Sequence, residues 1–212
     1  MLESLGIEPG ITDKPCEIKE DAIPFRQDTK HRTYDPVPVE RFFEILRNTS
    51  TIFEEFRARF IGKASPVQFY WGSFDLAISR FSGRRAPPRP DADLVTQESY
   101  SHEVSSVGFW PGTAELGGPA YYSYPVPAPP GFEVQRIRPP SAWYEKGIGG
   151  FLLRYDDVRT ASDPRAVLLE FCQSTYEAGA RLAGWDRANL ERAQQRLPAV
   201  AASALQAEQP AH

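Results

Sequence analysis

A chain of 212 residues can bury one sizeable core, and 41% hydrophobic with 25% charged side chains excludes a wholly disordered or fibrous polymer. The formal net charge of −4 argues against bulk nucleic-acid binding, which needs a basic footprint. Cys16 and Cys172 stand too far apart in sequence to suggest a disulfide framework, no apolar run approaches the ~18 residues of a membrane span, and the N-terminus lacks a secretory pattern, so a soluble cytoplasmic chain is expected.

Residues 1–35 read as irregular, with a short helix over residues 2–5 closed by Gly6 and a short strand within residues 18–25. Asp35-Pro36 then supplies a helix start, an acceptor followed by a residue with no amide hydrogen to lose. Val39, Phe42, Leu46, Phe53, Phe56 and Phe60 recur at three- and four-residue steps, predicting a long amphipathic helix over residues 37–61 with a weak point at residues 48–51 and an end at Gly62. After Pro66, residues 67–81 alternate as one strand. The prolines of residues 82–90 predict a surface loop carrying Arg84, Arg85 and Arg89, continued to residue 99. Residues 100–110 and 120–126 read as strands, residues 133–137 as a short strand, residues 139–150 as a loop with Trp143 and Tyr144, and residues 151–155 as a further strand. Asp163-Pro164 opens a second helix with Val167, Phe171, Thr175, Ala178, Leu182 and Trp185 on its apolar face. Asp186 caps a last short helix to residue 196, and residues 198–212 read as a disordered tail.

A helix, a run of strands and a closing helix predict an α+β domain over residues 36–197: an antiparallel sheet of about four to five strands with both helices mainly on one face. In residues 67–81, alternation separates Tyr70, Phe74, Leu76, Ile78 and Arg80 from Phe69, Trp71, Ser73 and Asp75. If the helices cover the first group, the second faces outward, where small residues (Gly72, Ser73, Ser106, Gly108) among rings would leave room for a ligand. The candidate ligand site is therefore Trp71, Ser73, Asp75, His102 and Trp110, with Arg80 or Arg84 at its rim. Ser73, His102 and Asp75 hold the residue types of a nucleophile, a base and an orienting carboxylate, but no G-x-S-x-G elbow surrounds Ser73. Asp75 is equally readable as structural, bonded to backbone or to Arg80 or Arg154. No metal site is expected, because neither His31 nor His102 stands in a paired-ligand spacing.

The strings FYWGSFDLAISRFSGRRAP, YSHEVSSVGFWPG, YYSYPVPAPPGF and FLLRYDDVR resemble the bacterial domain-of-unknown-function family numbered 5996, over about residues 22–187. That resemblance implies no activity, cofactor or catalytic residue. It also implies further residues, including strands, ahead of the LGI segment, whose loss would leave an exposed sheet edge or a dimer contact. Two readings of function follow. One is small-molecule binding in an aromatic-lined pocket on the sheet face, with catalysis and cofactor unassigned. The other is a structural or interaction module that pairs with itself or a partner through an exposed edge and aromatic loops.

Overall fold

A computed structural model describes residues 3–8, 10, 13–14, 22–113 and 116–192. Helix α1 (Pro36–Ala58) starts where the Asp35 carboxylate accepts from the Val37 amide, with Pro36 in the first helical position. It is unbroken through residues 48–51. Thr49 is buried with its hydroxyl 3.2 Å from that of Tyr121, and Thr51 donates back to the Arg47 carbonyl. The helix stops short of Gly62 because the next residues turn to residues 190–192: the Ile61 amide donates to the Leu190 carbonyl at 2.8 Å and the Arg192 amide to the Arg59 carbonyl at 3.0 Å.

Residues 67–81, expected as one strand, form a hairpin. Strands β1 (Gln68–Tyr70) and β2 (Asp75–Arg85) pair antiparallel with Tyr70 opposite Asp75, and Phe74 in the intervening turn has φ 57°, left-handed backbone that is rare for a ring-bearing residue. The reversal reassigns the faces. Phe69 lies opposite Leu76, whereas Tyr70 and Gln68 lie opposite Asp75 and Ala77. β2 also continues through Ser82 to Arg85, because Pro87 is the first residue there that cannot donate to a ladder. Helix α2 (Leu94–Ser99) replaces the expected loop, started by the Asp93 carboxylate on the Thr96 amide at 3.0 Å.

Strands β3 (His102–Trp110) and β4 (Ala120–Val126) fall where alternation predicts them, and β6 (Gly150–Arg154) falls one residue early. The expected strand at residues 133–137 is a single 3-10 turn, Phe132–Val134, while β5 (Trp143–Glu145), read as loop, pairs with β6. Helices α3 (Tyr155–Arg159), α4 (Pro164–Leu182) and α5 (Arg187–Leu190) close the chain, α4 beginning with the Asp163 carboxylate on the Ala166 amide at 2.9 Å. The sheet order is β1-β2-β3-β4-β6-β5 with every pair antiparallel, so the α+β architecture has six strands, and β1 and β5 form its edges. The N-terminal helix is a 3-10 turn, Glu3–Leu5. Residues 22–25 lead into a turn in which the Gln27 amide bonds the Pro24 carbonyl. Cys16, the first half of the expected early strand, the last expected helical residues and the tail lie outside the described residues.

Helices α1 and α4 pack on the sheet face that carries Leu76, Ile78, Val107, Phe109, Tyr121 and Leu153, all buried. Phe53 meets the Tyr121 ring edge-on at 6.4 Å, and Phe56 meets Tyr176 of α4 at 6.3 Å. Burying each such side chain contributes about 1.5–3 kcal/mol, so the face richer in large apolar side chains takes the helices. The other face, here called outer, carries Asp75, Ala77 and Ser79 from β2, Ser106 and Gly108 from β3, and Tyr122 and Tyr124 from β4. No described helix is long and apolar enough to cross a membrane.

Candidate functional site

Asp75 opens β2 on the outer face with only 5% of its surface exposed. One carboxylate oxygen accepts from the Ser73 hydroxyl in the turn, and the other accepts from the Tyr122 hydroxyl two strands away. The Tyr122 ring lies across Gly108, where a Cβ would fall 2.3 Å from it, so the space that small residues were expected to leave is filled by a neighbouring side chain. Burial and then the Asp75 charge push the Tyr122 hydroxyl far above its ordinary pKa, which keeps it a donor. Asp75 therefore ties the β1–β2 turn to β4. It bonds neither Arg80 nor Arg154, and Arg154 donates instead to the Leu116 carbonyl and stacks over Trp143.

The other candidates separate. His102 begins β3 opposite Arg85, while Asp75 adjoins Leu76, which pairs with Phe109 near the far end of that strand. At about 3.3 Å per residue, roughly 25 Å of sheet divides the imidazole from the carboxylate, so Ser73, His102 and Asp75 form no catalytic set. Trp110 ends β3 opposite Ala120, half-buried, and Trp71 projects from the turn with 82% of its surface exposed. Arg80 is on the helix side, 1% exposed, with its guanidinium 3.4 Å from the Phe56 ring centroid and 4.4 Å from that of Tyr176, and it donates to the Phe56 carbonyl in the last turn of α1. Arg84 is engaged twice: with Glu103 at 2.7 Å and, beyond it, with the Ala183 carbonyl at 2.6 Å where α4 ends. Both arginines thus place their charge at the negative end of a helix.

A groove does exist on the outer face, at the end opposite Asp75. It has a volume of about 430 Å³ and is lined by Arg89, Tyr100, Tyr124, Pro125, Val126, Ala128, Ile148 and Gly149. Tyr124 stacks on Tyr122 at 5.7 Å, and its hydroxyl meets that of Tyr100 at 3.1 Å, while the hydroxyls of Ser79 and Ser106 bond each other at 2.7 Å on the adjacent strands. Burial raises the Tyr124 hydroxyl well above its ordinary pKa. The Arg89 guanidinium rests 5.0 Å over the Tyr100 ring and has no ion pair or side-chain hydrogen bond among the described residues. The nearby Glu145 directs its carboxylate to the Gly147 amide. Chemically, the groove offers a mixed polar and aliphatic lining, two phenols and one cation without a counter-ion.

The model of a family of unknown function, DUF5996, matches residues 1–192. The chain belongs to DUF5996. No curated protein and no solved structure matches it. Within this DUF5996 chain, no group of three or more His, Cys, Asp and Glu side chains that could hold a metal ion occurs among the described residues. In the sequence, Arg89 is an available cation and Tyr124 an available ring, but nothing there brings them together with Tyr100. Tyr100 counts there as the start of a strand, whereas it caps the end of α2, and that placement is what brings its hydroxyl to Tyr124. Arg89 sits in a proline-rich string whose simplest account is a solvated loop.

Proposed function

We propose that this chain is a cytoplasmic small-molecule binding protein that holds a compound with a flat apolar body and an anionic group in the groove between Tyr100, Tyr124 and the β5–β6 turn. The observation that carries the reading is Arg89: a guanidinium without a counter-ion, seated on an aromatic ring at a groove that mixes phenols with aliphatic side chains. An anion would take the guanidinium fork, the ligand's flat body would lie along Val126 and Ile148, and whichever of the paired Tyr100 and Tyr124 hydroxyls does not donate to the other would donate to it. The reading moves the site away from Asp75, whose two oxygens already have donors, and away from Arg80 and Arg84, which serve helix ends. His102, the neighbour of Ser101 at 3.2 Å, adjoins the groove end of the sheet. Catalysis is not part of this reading.

Native mass spectrometry of protein taken from cells without dialysis tests for a retained molecule. A melting-temperature screen with benzoate, indole-3-acetate and phenyl phosphate then gives affinities by linkage. Arg89→Ala is expected to weaken binding about 10- to 100-fold, the scale of one hydrogen bond to a charged group, while leaving the apo melting temperature unchanged because the side chain is exposed. Absence of any shift in the wild-type chain at millimolar concentrations of all three probes, with no retained molecule, overturns the reading.

A further inference from the structure

The side-chain donors of the groove stand close together. The Tyr100 and Tyr124 hydroxyls are 3.1 Å apart, so one proton of the pair is used within it and one is left over. Arg89 holds its guanidinium 5.0 Å over the face of the Tyr100 ring, within one ring's width of the hydroxyl on that ring's rim. The spare phenol proton and the guanidinium fork are therefore neighbours. Tyr124 is also held in place from behind, since its ring stacks on that of Tyr122 at 5.7 Å and the Tyr122 hydroxyl is tied to Asp75. Away from these donors the lining is Pro125, Val126, Ala128, Ile148 and Gly149, none of which carries a side-chain donor.

Two neighbouring donors restrict what a ligand can place between them. A carboxylate seated bidentate on the fork uses both of its oxygens, one on each parallel N–H. The spare phenol proton then needs a further oxygen, and because the phenol adjoins the guanidinium, that oxygen has to stand beside the carboxylate. An oxygen at the far end of a flat body would lie against Val126 and Ile148, losing water and meeting no donor side chain. We infer that the groove takes flat 2-oxygenated carboxylates, acids whose 2-position bears a hydroxyl, ether or carbonyl oxygen on the same edge as the carboxylate. This ligand class rests on the groove being the binding site, as proposed above, and it makes Tyr100 and Tyr124 the specificity-determining residues: Arg89 selects for charge, the phenol pair for where the neutral oxygen sits. Size does not choose for them, because a volume of about 430 Å³ admits a singly substituted ring with its oxygen in either position.

Isothermal titration calorimetry with 2-methoxybenzoate and 4-methoxybenzoate tests the assignment. The isomers share formula and charge at neutral pH, and their ether oxygen can only accept. The wild-type chain is expected to bind the 2-isomer about 3- to 10-fold more tightly, the scale of one neutral hydrogen bond. In a Tyr100→Phe/Tyr124→Phe double variant both partners of the hydroxyl pair are removed together, which leaves neither of them unpaired; it is expected to stay folded and to bind the two isomers alike. Salicylate against 4-hydroxybenzoate repeats the wild-type comparison without any variant, and the 2-isomer is again expected to bind more tightly. Equal affinities within both isomer pairs, a preference for the 4-isomers, or a preference for the 2-isomers that survives in the double variant overturns the inference while binding itself, and with it the groove as an anion site, persists. If the wild-type chain binds neither methoxybenzoate nor benzoate at millimolar concentration, the groove reading fails and this ligand class falls with it.

Discussion

Arg80 carries its charge into the core without forming an ion pair among the described residues. What holds it is a cage of Phe56, Phe60 and Tyr176 rings together with the carbonyl of Phe56 at the negative end of α1, while its Nε finds no acceptor. Burial, the largest influence, lowers its pKa to about 10. Because the folded value lies below the unfolded one, the cost of burying the cation is fully present below about pH 10 and is relieved only as pH rises toward 12.5. At neutral pH, then, the stem and guanidinium plane contribute by packing while the charge is a net cost. Arg80→Ala is expected to lower stability by about 2–5 kcal/mol through the cavity it leaves, whereas Arg80→Met, which fills most of the volume without the charge, should lose less than about 1 kcal/mol. Urea unfolding of both variants checks this, and equal losses would show that the charge, not the volume, is what the cage requires. Asp75 makes the complementary point: a carboxylate on a polar face is nearly as hidden as a core residue because two hydroxyls close over it.

At the scale of elements, the strongest local signals were legible in the chain. Asp35-Pro36 and Asp163-Pro164 start helices because each joins an acceptor to a residue with no amide hydrogen, and the alternation of β3 and β4 places Val107, Phe109 and Tyr121 toward the helices and Ser106, Gly108, Tyr122 and Tyr124 away from them. Residues 67–81 read as one strand because Trp71, Gly72, Ser73 and Phe74 continue a period-two pattern while forming a turn, and the local hint of Gly72 is outweighed by the rings around it. That one turn decides which side chains share a face with Asp75, so the candidate site inherited the error. β5 is silent in the sequence for another reason: three residues supply too little periodicity, and β5 exists because β6 offers it an edge. Gly108 shows how a pattern of small residues misleads. The sequence offers it as empty space, but Tyr122 from β4 fills that space, a pairing that only the register of β3 with β4 determines. Gly108→Ala is expected to cost about 1–3 kcal/mol by displacing the ring, and less than about 1 kcal/mol in a Tyr122→Leu background, where the clash is absent. A double-mutant cycle in urea measures the difference; equal costs in both backgrounds would mean that the ring does not occupy the glycine.

For the whole molecule, the same aromatic layers that build both faces set its response to alkali. Burial is the largest influence on the hydroxyls of Tyr121, Tyr122, Tyr124 and Tyr176, and it holds all four above the ordinary tyrosine range; it likewise pushes the Cys172 thiol up to about 12. These groups have folded pKa values above their unfolded ones, so the native state keeps protons that the unfolded chain releases, and stability is full below about pH 9 and falls as pH rises from there. Arg80 acts in the opposite direction, but it is one group against five. With these five past their unfolded values and Arg80 between its folded and unfolded ones, the net difference of about four protons corresponds to a loss of about 5 kcal/mol per pH unit, at 1.36 kcal/mol per proton and pH unit. A domain with 5–15 kcal/mol of stability cannot absorb that over more than one to three units. The chain should therefore unfold cooperatively at roughly pH 11–12, with the tyrosinate absorbance of these residues rising in the same step as the loss of circular dichroism, because their hydroxyls ionise only when the sheet opens. Two titrations on one sample, absorbance and dichroism against pH, decide it. Tyrosinate that rises to completion near pH 10 while the dichroism stays native would mean that both faces admit water to these hydroxyls, and that neither the core under α1 and α4 nor the ring layer over Gly108 is closed.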